Sequence, residues 1–155
     1  MPNKALFLDR DGTINIDYGY VYQIGNFKLI DGIIDLCRKA QQKGYLIIII
    51  TNQSGIARGY YPDEDFHKLN QYMIDLFSEE DITITDVYYC SELDGPRRKP
   101  ECGMFIEAQK EYDIDMAMSV SVGDKERDIQ AGIKAGVGKN LLFNGSNFNK
   151  IMEEL

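Results

Sequence analysis

The chain has 155 residues, a length that suits one domain built around one hydrophobic core. Its formal net charge is −8, and long-range repulsion argues against DNA, RNA and anionic membranes as partners. No apolar run approaches the roughly 20 residues of a membrane helix and no signal-peptide pattern precedes the first apolar run, so we expect a monomeric cytoplasmic protein.

Segments of strand and helix character alternate along the whole chain. Strands are predicted at 5–8, 45–50, 84–90, 119–122 and 137–143. Helices are predicted at 31–44, from Pro62 onward with the apolar stripe Phe66, Leu69, Met73 and Leu76, at 101–112, at 125–135 and in the tail from 146. This order predicts an α/β fold with a parallel sheet covered on both faces, in one Rossmann-like, three-layer domain over residues 1–155. The length leaves no room for a large cap domain.

Polar residues fall where the predicted strands end, at 9–13, 51–54, 98–100 and 123–124. In a parallel sheet of this kind, ligands bind beyond the carboxyl ends of the strands. We therefore expect the fold to bring these four distant segments together around one site.

Asp9 and Asp11 directly follow the first apolar run. One carboxylate can attack phosphorus, and a second carboxylate nearby can protonate the leaving oxygen and then activate water. Such a pair needs a divalent cation to offset its repulsion of phosphate, and Mg²⁺ with Asp124 as a further ligand suits this purpose. Gly12 would let the chain turn sharply. The alternative is a plain surface turn, but the preceding strand and the following Thr13 favour a functional role.

Further candidates lie at the other strand ends. Thr51 is either a phosphoryl-binding hydroxyl or a helix N-cap, and Lys99 is either a neutralising cation or a mobile surface lysine. Asp128 lies one helical turn after Asp124 and is placed to orient Lys99 or the ligand shell. The basic pair at 97–98 either binds substrate or is simply solvated. Three other residues are expected to be structural or exposed, namely His67, Glu126 and Arg127.

Taken together, these motifs resemble the haloacid dehalogenase superfamily over nearly the whole chain. Its four motifs occur in order, at 9–13, at Thr51, at Lys99 and at 123–128. The resemblance implies a phosphatase with a Rossmann-like fold, Mg²⁺ and an aspartyl-phosphate intermediate. It assigns the nucleophile to Asp9, the general acid/base to Asp11 and phosphoryl stabilisation to Thr51 and Lys99. It assigns the metal to Asp9, the backbone carbonyl of Asp11 and Asp124.

The chain is more closely similar to the branch of that superfamily that contains the heptose bisphosphate phosphatases and the histidinol phosphatases. The similarity rests on 17–20, on 51–59 and on 98–100 followed by 103–104. It implies substrate contacts from Asp17, Tyr18, Gly19, Tyr20, Thr51, Asn52, Gln53, Ser54 and Arg98. Without a cap, the short polar segments 17–20 and 58–61 would recognise the sugar. Ser54 favours the sugar substrate, because histidinol phosphatases usually carry aspartate at that position.

One departure concerns the structural zinc loop of many members of this branch. Of its ligands, only Cys90 is in place, while 91–97 contains no His or Cys and Cys102 lies beyond the loop. One ligand cannot form a tetrahedral zinc site, so we expect no structural zinc. Cys37, Cys90 and Cys102 are then expected to be free thiols.

Three functional hypotheses follow. The first is hydrolysis of a heptose 1,7-bisphosphate, and the second is hydrolysis of histidinol phosphate or another small metabolite. A different class is a receiver-like phospho-acceptor module, which also uses acidic residues and Mg²⁺ at strand ends. Asp11 favours an enzyme, because a positioned acid/base would speed the loss of a phosphoryl group that a signalling module must keep.

Overall fold

The computed structural model describes residues 2–155, and strands and helices alternate through them. The strands are β1 (Lys4–Leu8), β2 (Tyr45–Asn52), β3 (Asp86–Cys90), β4 (Val120–Gly123) and β5 (Lys139–Leu142). The α-helices are α1 (Ile33–Gln42), α2 (Asp63–Glu79), α3 (Gly103–Tyr112), α4 (Glu126–Ala135) and α5 (Phe148–Glu153). Two short 3₁₀ helices cover Ile24–Asn26 and Met116–Met118.

The five strands form one parallel sheet in the order β3-β2-β1-β4-β5. The first strand lies at the centre, where Leu6 is in register with Ile47 on one side and Val120 on the other. The carboxyl ends of β1, β2 and β4 therefore meet at one edge of the sheet. The predicted α/β class and parallel sheet are confirmed.

The core is divided between the two faces of this sheet. Because successive strand residues point to opposite faces, Leu6 and Leu8 pack with α1, α2 and α5, whereas Ala5 and Phe7 pack with α3 and α4. Buried helix residues such as Leu36 on α1 complete the first layer. The result is the predicted three-layer arrangement.

The structure corrects several predicted boundaries. Pro62 is the N-cap of α2 rather than its first residue, and Phe77 is fully buried where Leu76 was predicted to be. α1 begins after Gly32, whose φ of 93° is left-handed, so the helix starts two residues later than predicted. β3 and β5 are each shorter than predicted, because flanking residues leave the sheet.

Residues 9–32 form a folded loop over the carboxyl edge of the sheet. Its two arms pair through Ile16 N–H to the Lys28 carbonyl and Ile30 N–H to the Ile14 carbonyl, and Val21 anchors it in the core. No helix within residues 2–155 combines the length and apolar character needed to cross a bilayer.

Candidate active site at the carboxyl edge of the sheet

An open, polar cavity of about 280 Å³ lies where the strands β1 and β2 end. Its lining consists of Asp9, Asp11, Asp17, Gly19, Tyr20, Asn52, Gln53, Ser54, Arg58, Tyr61, Arg98, Lys125 and Arg127. The lining combines carboxylates with four positively charged side chains. This composition suits an anionic ligand bound together with a cation.

A tight turn after β1 presents the first acidic residues to this cavity. The carbonyl of Arg10 accepts hydrogen bonds from the N–H groups of Thr13, Ile14 and Asn15. Gly12 has a φ of 90°, and a Cβ there would lie 2.2 Å from Oδ2 of Asp124. Only glycine therefore allows the side chain of Asp124 to approach the turn this closely.

Asp9 lies at the floor of the cavity beside a buried lysine. Nζ of Lys99 lies 2.9 Å from Oδ1 of Asp9 and 2.6 Å from Oδ1 of Asp128, and it donates to the Ile50 carbonyl at 2.7 Å. Oδ2 of Asp128 accepts from the N–H of Lys125 at 3.1 Å, which fixes this carboxylate at the start of α4. The lysine is thus held by three oxygen atoms from three parts of the chain.

The electrostatics of this group follow from its burial. Burial raises the pKa of the Asp9 carboxyl well above its ordinary value; Lys99 lowers it, and the carboxylates of Asp128 and Asp124 raise it further. Burial alone would lower the pKa of Lys99, but Asp9 and Asp128 outweigh it and raise that pKa. Lys99 is consequently charged at neutral pH. Its single positive charge lies beside the three carboxyl groups of Asp9, Asp124 and Asp128, so a further cation can be accommodated there.

A metal ion fits the same carboxylates. Ligand oxygens of Asp9, Asp124 and Asp128 lie within 4.8 Å of one another, and this is the one such group of three or more side chains within residues 2–155. Oδ1 of Asp124 is buried without a hydrogen-bond partner in that part of the chain. Both oxygens of Asp128 are occupied, Oδ1 by Lys99 and Oδ2 by the N–H of Lys125, whereas Asp9 pairs with Lys99 through Oδ1 alone. Asp9 and Asp124 therefore keep carboxylate oxygens that could hold a cation.

The side chain of Asp11 is turned away from this group. Oδ1 accepts from Asn15 Nδ2 at 2.9 Å and from Arg10 Nη2 at 3.0 Å, and Oδ2 accepts from Gln53 Nε2 at 3.1 Å. The Asp11 side chain is therefore not among the potential metal ligands within residues 2–155, and a metal contact through its backbone carbonyl stays a prediction.

Sequence reasoning named Arg10 only as part of a motif and gave it no role. The side chain is 1% exposed; besides Asp11 it donates to the Val21 carbonyl at 2.7 Å. Arginine is rarely buried unless it is paired, and its place between two aspartates was the signal that could have identified it. Arg10 thus links the turn after β1 to the part of the folded loop around Val21.

Thr51 and Lys99 lie beneath the cavity rather than on its wall. Thr51 is 1% exposed, and its Oγ1 accepts from Nε2 of Gln53 at 2.9 Å. Asn52 braces the lysine, because its amide group donates to the Lys99 carbonyl and accepts from the Lys99 N–H, both at 3.1 Å.

Most, but not all, of the residues predicted to contact substrate border the cavity. Tyr18 is 56% exposed and lies outside the cavity lining as described for residues 2–155. Six of the others border the cavity with their side chain or backbone: Asp17, Gly19, Tyr20, Asn52, Ser54 and Arg98. Gln53 also borders it, but its amide group is bonded to protein atoms on every side.

Two cations at the start of α4 were missed. Arg127, expected to be a solvated surface residue, borders the cavity together with Lys125. Nζ of Lys125 lies 3.7 Å from Asp17 and 3.8 Å from Asp124, between the folded loop and the group of potential metal ligands. A charged helix start gives no indication of which side chains turn toward a ligand, so the sequence carried no clear signal for them.

The remaining candidates lie outside this site. Cys90 is buried at the end of β3 and Cys102 is partly buried before α3; neither belongs to the group of potential metal ligands in residues 2–155. His67 is on the exposed side of α2, where it pairs with Asp63 at 2.8 Å.

Comparison with known proteins identifies the family. The family described as Polynucleotide kinase 3 phosphatase matches residues 6–139. The D-glycero-alpha-D-manno-heptose-1,7-bisphosphate 7-phosphatase of Campylobacter jejuni is 51% identical, covering 93% of this chain and 84% of that protein. The D-glycero-beta-D-manno-heptose-1,7-bisphosphate 7-phosphatase of Haemophilus influenzae is 49% identical, covering 90% and 81%.

A solved structure of a heptose bisphosphate phosphatase has the same fold as this chain. The D,D-heptose 1,7-bisphosphate phosphatase of B. bronchiseptica, complexed with magnesium and phosphate, superposes with a TM-score of 0.86 at 27% identity, covering 98% of this chain and 87% of that one. The four motifs, the parallel sheet and these relatives agree, and the chain belongs to the heptose 1,7-bisphosphate 7-phosphatase family of the haloacid dehalogenase superfamily.

Proposed function

We propose that the chain is a magnesium-dependent phosphatase that removes the 7-phosphate of D-glycero-D-manno-heptose 1,7-bisphosphate through an aspartyl-phosphate on Asp9. The observation that carries this proposal is the position of Asp9. Asp9 follows the carboxyl end of the central strand, on the floor of a cavity bordered by cations. It lies 2.9 Å from the buried ammonium group of Lys99 and close to the carboxylates of Asp124 and Asp128.

In the first half of the reaction, a carboxylate oxygen of Asp9 attacks phosphorus and the bond from phosphorus to the sugar oxygen breaks. The proton that the leaving sugar oxygen needs comes from Asp11, which is two residues away and is held by side chains of Arg10, Asn15 and Gln53. Lys99 lies where it can neutralise the charge that develops on the phosphoryl oxygens.

In the second half, Asp11 has lost its proton and takes one from a water molecule. The resulting hydroxide attacks phosphorus, the bond to Asp9 breaks, and inorganic phosphate leaves with both carboxyl groups restored. The same residue thus serves as acid and then as base, which requires that its position changes little between the two steps.

The side chains of Asp9 and Asp124 and the backbone carbonyl of Asp11 would hold Mg²⁺. When bound, Mg²⁺ neutralises phosphate charge and orients the phosphoryl group for attack. The unpartnered Oδ1 of Asp124 supports this assignment, and a related enzyme was crystallised with magnesium and phosphate.

The cavity wall favours a bisphosphate among the possible substrates. Four cations border it in a protein whose net charge is −8, namely Arg58, Arg98, Lys125 and Arg127. A second phosphate group would be attracted by these four cations, whereas they would repel the protonated amine of histidinol phosphate. The two most similar relatives described above act on opposite anomers, so both anomers are candidates here.

We also propose a cytoplasmic location and a monomeric state. Three free cysteines, two of them buried, are typical of a reducing compartment. The residues of the proposed reaction, Asp9, Lys99 and Asp124, all come from the same chain, so the proposed chemistry needs no second copy. Light scattering should therefore give a mass near 17.7 kDa, and a stable dimer would contradict the monomer.

The deciding experiment measures phosphate release from both anomers of heptose 1,7-bisphosphate, from heptose 7-phosphate and from histidinol phosphate. We expect the highest kcat/KM with a bisphosphate, one phosphate released per molecule and heptose 1-phosphate as product. A higher kcat/KM for histidinol phosphate would overturn the substrate assignment. Full activity in excess EDTA would overturn the metal assignment.

A further inference from the structure

The side-chain amide of Gln53 is completely occupied by protein atoms. Nε2 donates to Asp11 Oδ2 at 3.1 Å and to Thr51 Oγ1 at 2.9 Å. Oε1 accepts from the Tyr61 hydroxyl at 2.5 Å and from Arg10 Nη2 at 3.5 Å. A glutamine amide has two N–H donors and one carbonyl oxygen with two lone pairs, so no hydrogen-bonding capacity remains for a substrate.

The orientation of this amide follows from its partners. A guanidinium can only donate, so Oε1 must face Arg10, and Nε2 is then directed toward Oδ2 of Asp11. The reversed amide would place an oxygen against the carboxylate and an N–H against the guanidinium. The side chain is 3% exposed, which excludes water as a substitute partner.

We propose that Gln53 is a positioning residue that joins the proton-transfer carboxylate of Asp11 to the hydroxyl of Thr51, and that it does not bind the sugar. This inference rests on the proposed function of the site. Its bond to Oδ2 fixes one oxygen of Asp11, while Asn15 fixes the other. Its bond to Thr51 occupies a lone pair of Oγ1, so the hydroxyl proton is free to donate to a phosphoryl oxygen.

Among residues 2–155, the free proton of Thr51 has no good alternative partner. Its nearest acceptor is the Asn52 carbonyl at 3.4 Å, a distance at which a hydroxyl hydrogen bond is weak. The Gln53 amide therefore fixes the positions of two groups. These are Asp11, the acid/base for the leaving oxygen, and Thr51, the donor to the phosphoryl oxygen. A displacement of about 1 Å in such groups can cost roughly 100-fold in rate.

Tyr61 is the outer anchor of this arrangement. Its ring is stacked on Tyr22 with centroids 4.9 Å apart and is 4% exposed. A Cβ on Gly55 would lie 2.3 Å from its ring, so the glycine allows the tyrosine to reach Gln53. The folded loop of residues 9–32 contacts Tyr61 through Tyr22. It therefore supports the position of the Gln53 amide, which lies directly after β2.

The test uses Gln53→Met, which keeps length and volume but removes all four hydrogen bonds, together with Tyr61→Phe and the double variant. We expect Gln53→Met to lower kcat about 10- to 100-fold with little change in KM. We expect Tyr61→Phe to lower kcat about fivefold, the effect of one hydrogen bond. In the double variant the tyrosine change should cost nothing more, because Tyr61 acts through Gln53.

A substrate without a sugar separates positioning from sugar binding. With p-nitrophenyl phosphate, Gln53→Met should still lose rate, since both steps of phosphoryl transfer pass through the same groups. Ser54→Ala, at the cavity wall, should instead raise KM for the bisphosphate and leave kcat for that substrate closer to the wild-type value than Gln53→Met does. Tyr72→Phe, a tyrosine of α2 away from the cavity, is the control for loss of a hydroxyl and should match wild type.

Several outcomes would overturn the proposal. One is a Gln53→Met variant in which only KM for the sugar rises; another is a full additional loss from Tyr61→Phe in the double variant. Wild-type turnover of p-nitrophenyl phosphate without turnover of any heptose bisphosphate would refute the substrate alone; a loss of that turnover in Gln53→Met would then still support the role of Gln53, and an unchanged rate would overturn it. A wild type inactive on both would remove the proposed function and this inference together.

Discussion

Asp9 is the residue on which the proposed chemistry depends, and its replacement gives the first prediction. Asp9→Asn removes the attacking oxygen but keeps the size of the side chain, so phosphate release should fall by about four orders of magnitude or more. The fold should persist, because Lys99 keeps its partner Asp128. Phosphate release and thermal unfolding measure the two effects, and activity near that of wild type would exclude Asp9 as nucleophile.

Asp128 gives the second prediction, which concerns stability. The ion pair with Lys99 is buried on both sides, with side chains 2% and 4% exposed. Asp128→Asn should lower the free energy of unfolding by about 3 kcal/mol, because Lys99 loses the shorter of its two buried ion pairs and the start of α4 loses the carboxylate that accepts from the N–H of Lys125. Urea unfolding measures this loss.

A surface pair provides the matched control for Asp128. Lys134 and Glu101 are 3.1 Å apart but about half exposed. Lys134→Gln should change the free energy of unfolding by no more than about 0.5 kcal/mol, because solvent screens the pair. Equal losses in the two variants would contradict the structural role assigned to the buried pair.

The limits of sequence reasoning are clearest at single residues. Asp9, Asp11 and Asp124 could be placed at strand ends because the alternation of strands and helices determines where strands end. The buried partners of Asp11 could not be predicted, because a motif shows that Arg10 is present and not which way its side chain turns. Gln53 was predicted to touch substrate for the same reason: sequence position indicates proximity, whereas hydrogen-bond saturation is visible only in three dimensions.

At the scale of elements, the turn after β1 gives a prediction about metal binding. Gly12→Ala places a methyl group 2.2 Å from Asp124 Oδ2 and strains a φ of 90°. Gly136→Ala, at the end of α4, has a similar φ of 88° but nothing within 4 Å. Both variants should lose about 1 kcal/mol of stability through strain.

Only the first of these variants should affect the metal. We expect Gly12→Ala to raise the Mg²⁺ concentration for half-maximal activity roughly tenfold, because Asp124 is displaced. Gly136→Ala should require the same Mg²⁺ concentration as wild type. Titration of Mg²⁺ at fixed substrate tests this, and equal requirements in the two variants would contradict the role of the turn.

Helices and strands were predicted well in number and order, and less well at their ends. The apolar periods of α2 located the helix, but Phe77 rather than Leu76 is fully buried, because adjacent apolar residues compete for the same face. The strand β3 begins at Asp86 rather than at Ile84, since pairing with β2 starts only there. Such boundaries depend on neighbouring elements that a local pattern does not include.

At the scale of the whole molecule, the three cysteines report on the packing of the two faces of the sheet. Cys37 is fully buried on α1, where burial raises the pKa of its thiol, and Cys90 is 2% exposed. Cys102 is partly exposed. Because the thiolate is the reactive form, one thiol should react quickly with Ellman's reagent in the native protein and three in denaturant. Rapid reaction of all three without denaturant would contradict the described packing.

The central place of β1 in the sheet has a consequence for biosynthesis. The N–H of Ala5 donates a hydrogen bond to Oγ of Ser119, which lies 114 positions further along the chain. Nζ of Lys99 donates to Oδ1 of Asp9 across 90 positions. Asp9 therefore leaves the ribosome well before Lys99, and the strand that precedes it must wait for β4 before both of its edges are paired. A nascent chain that stalls before Asp124 carries Asp9 without Asp124 and Asp128, the other two carboxylates of its acidic group.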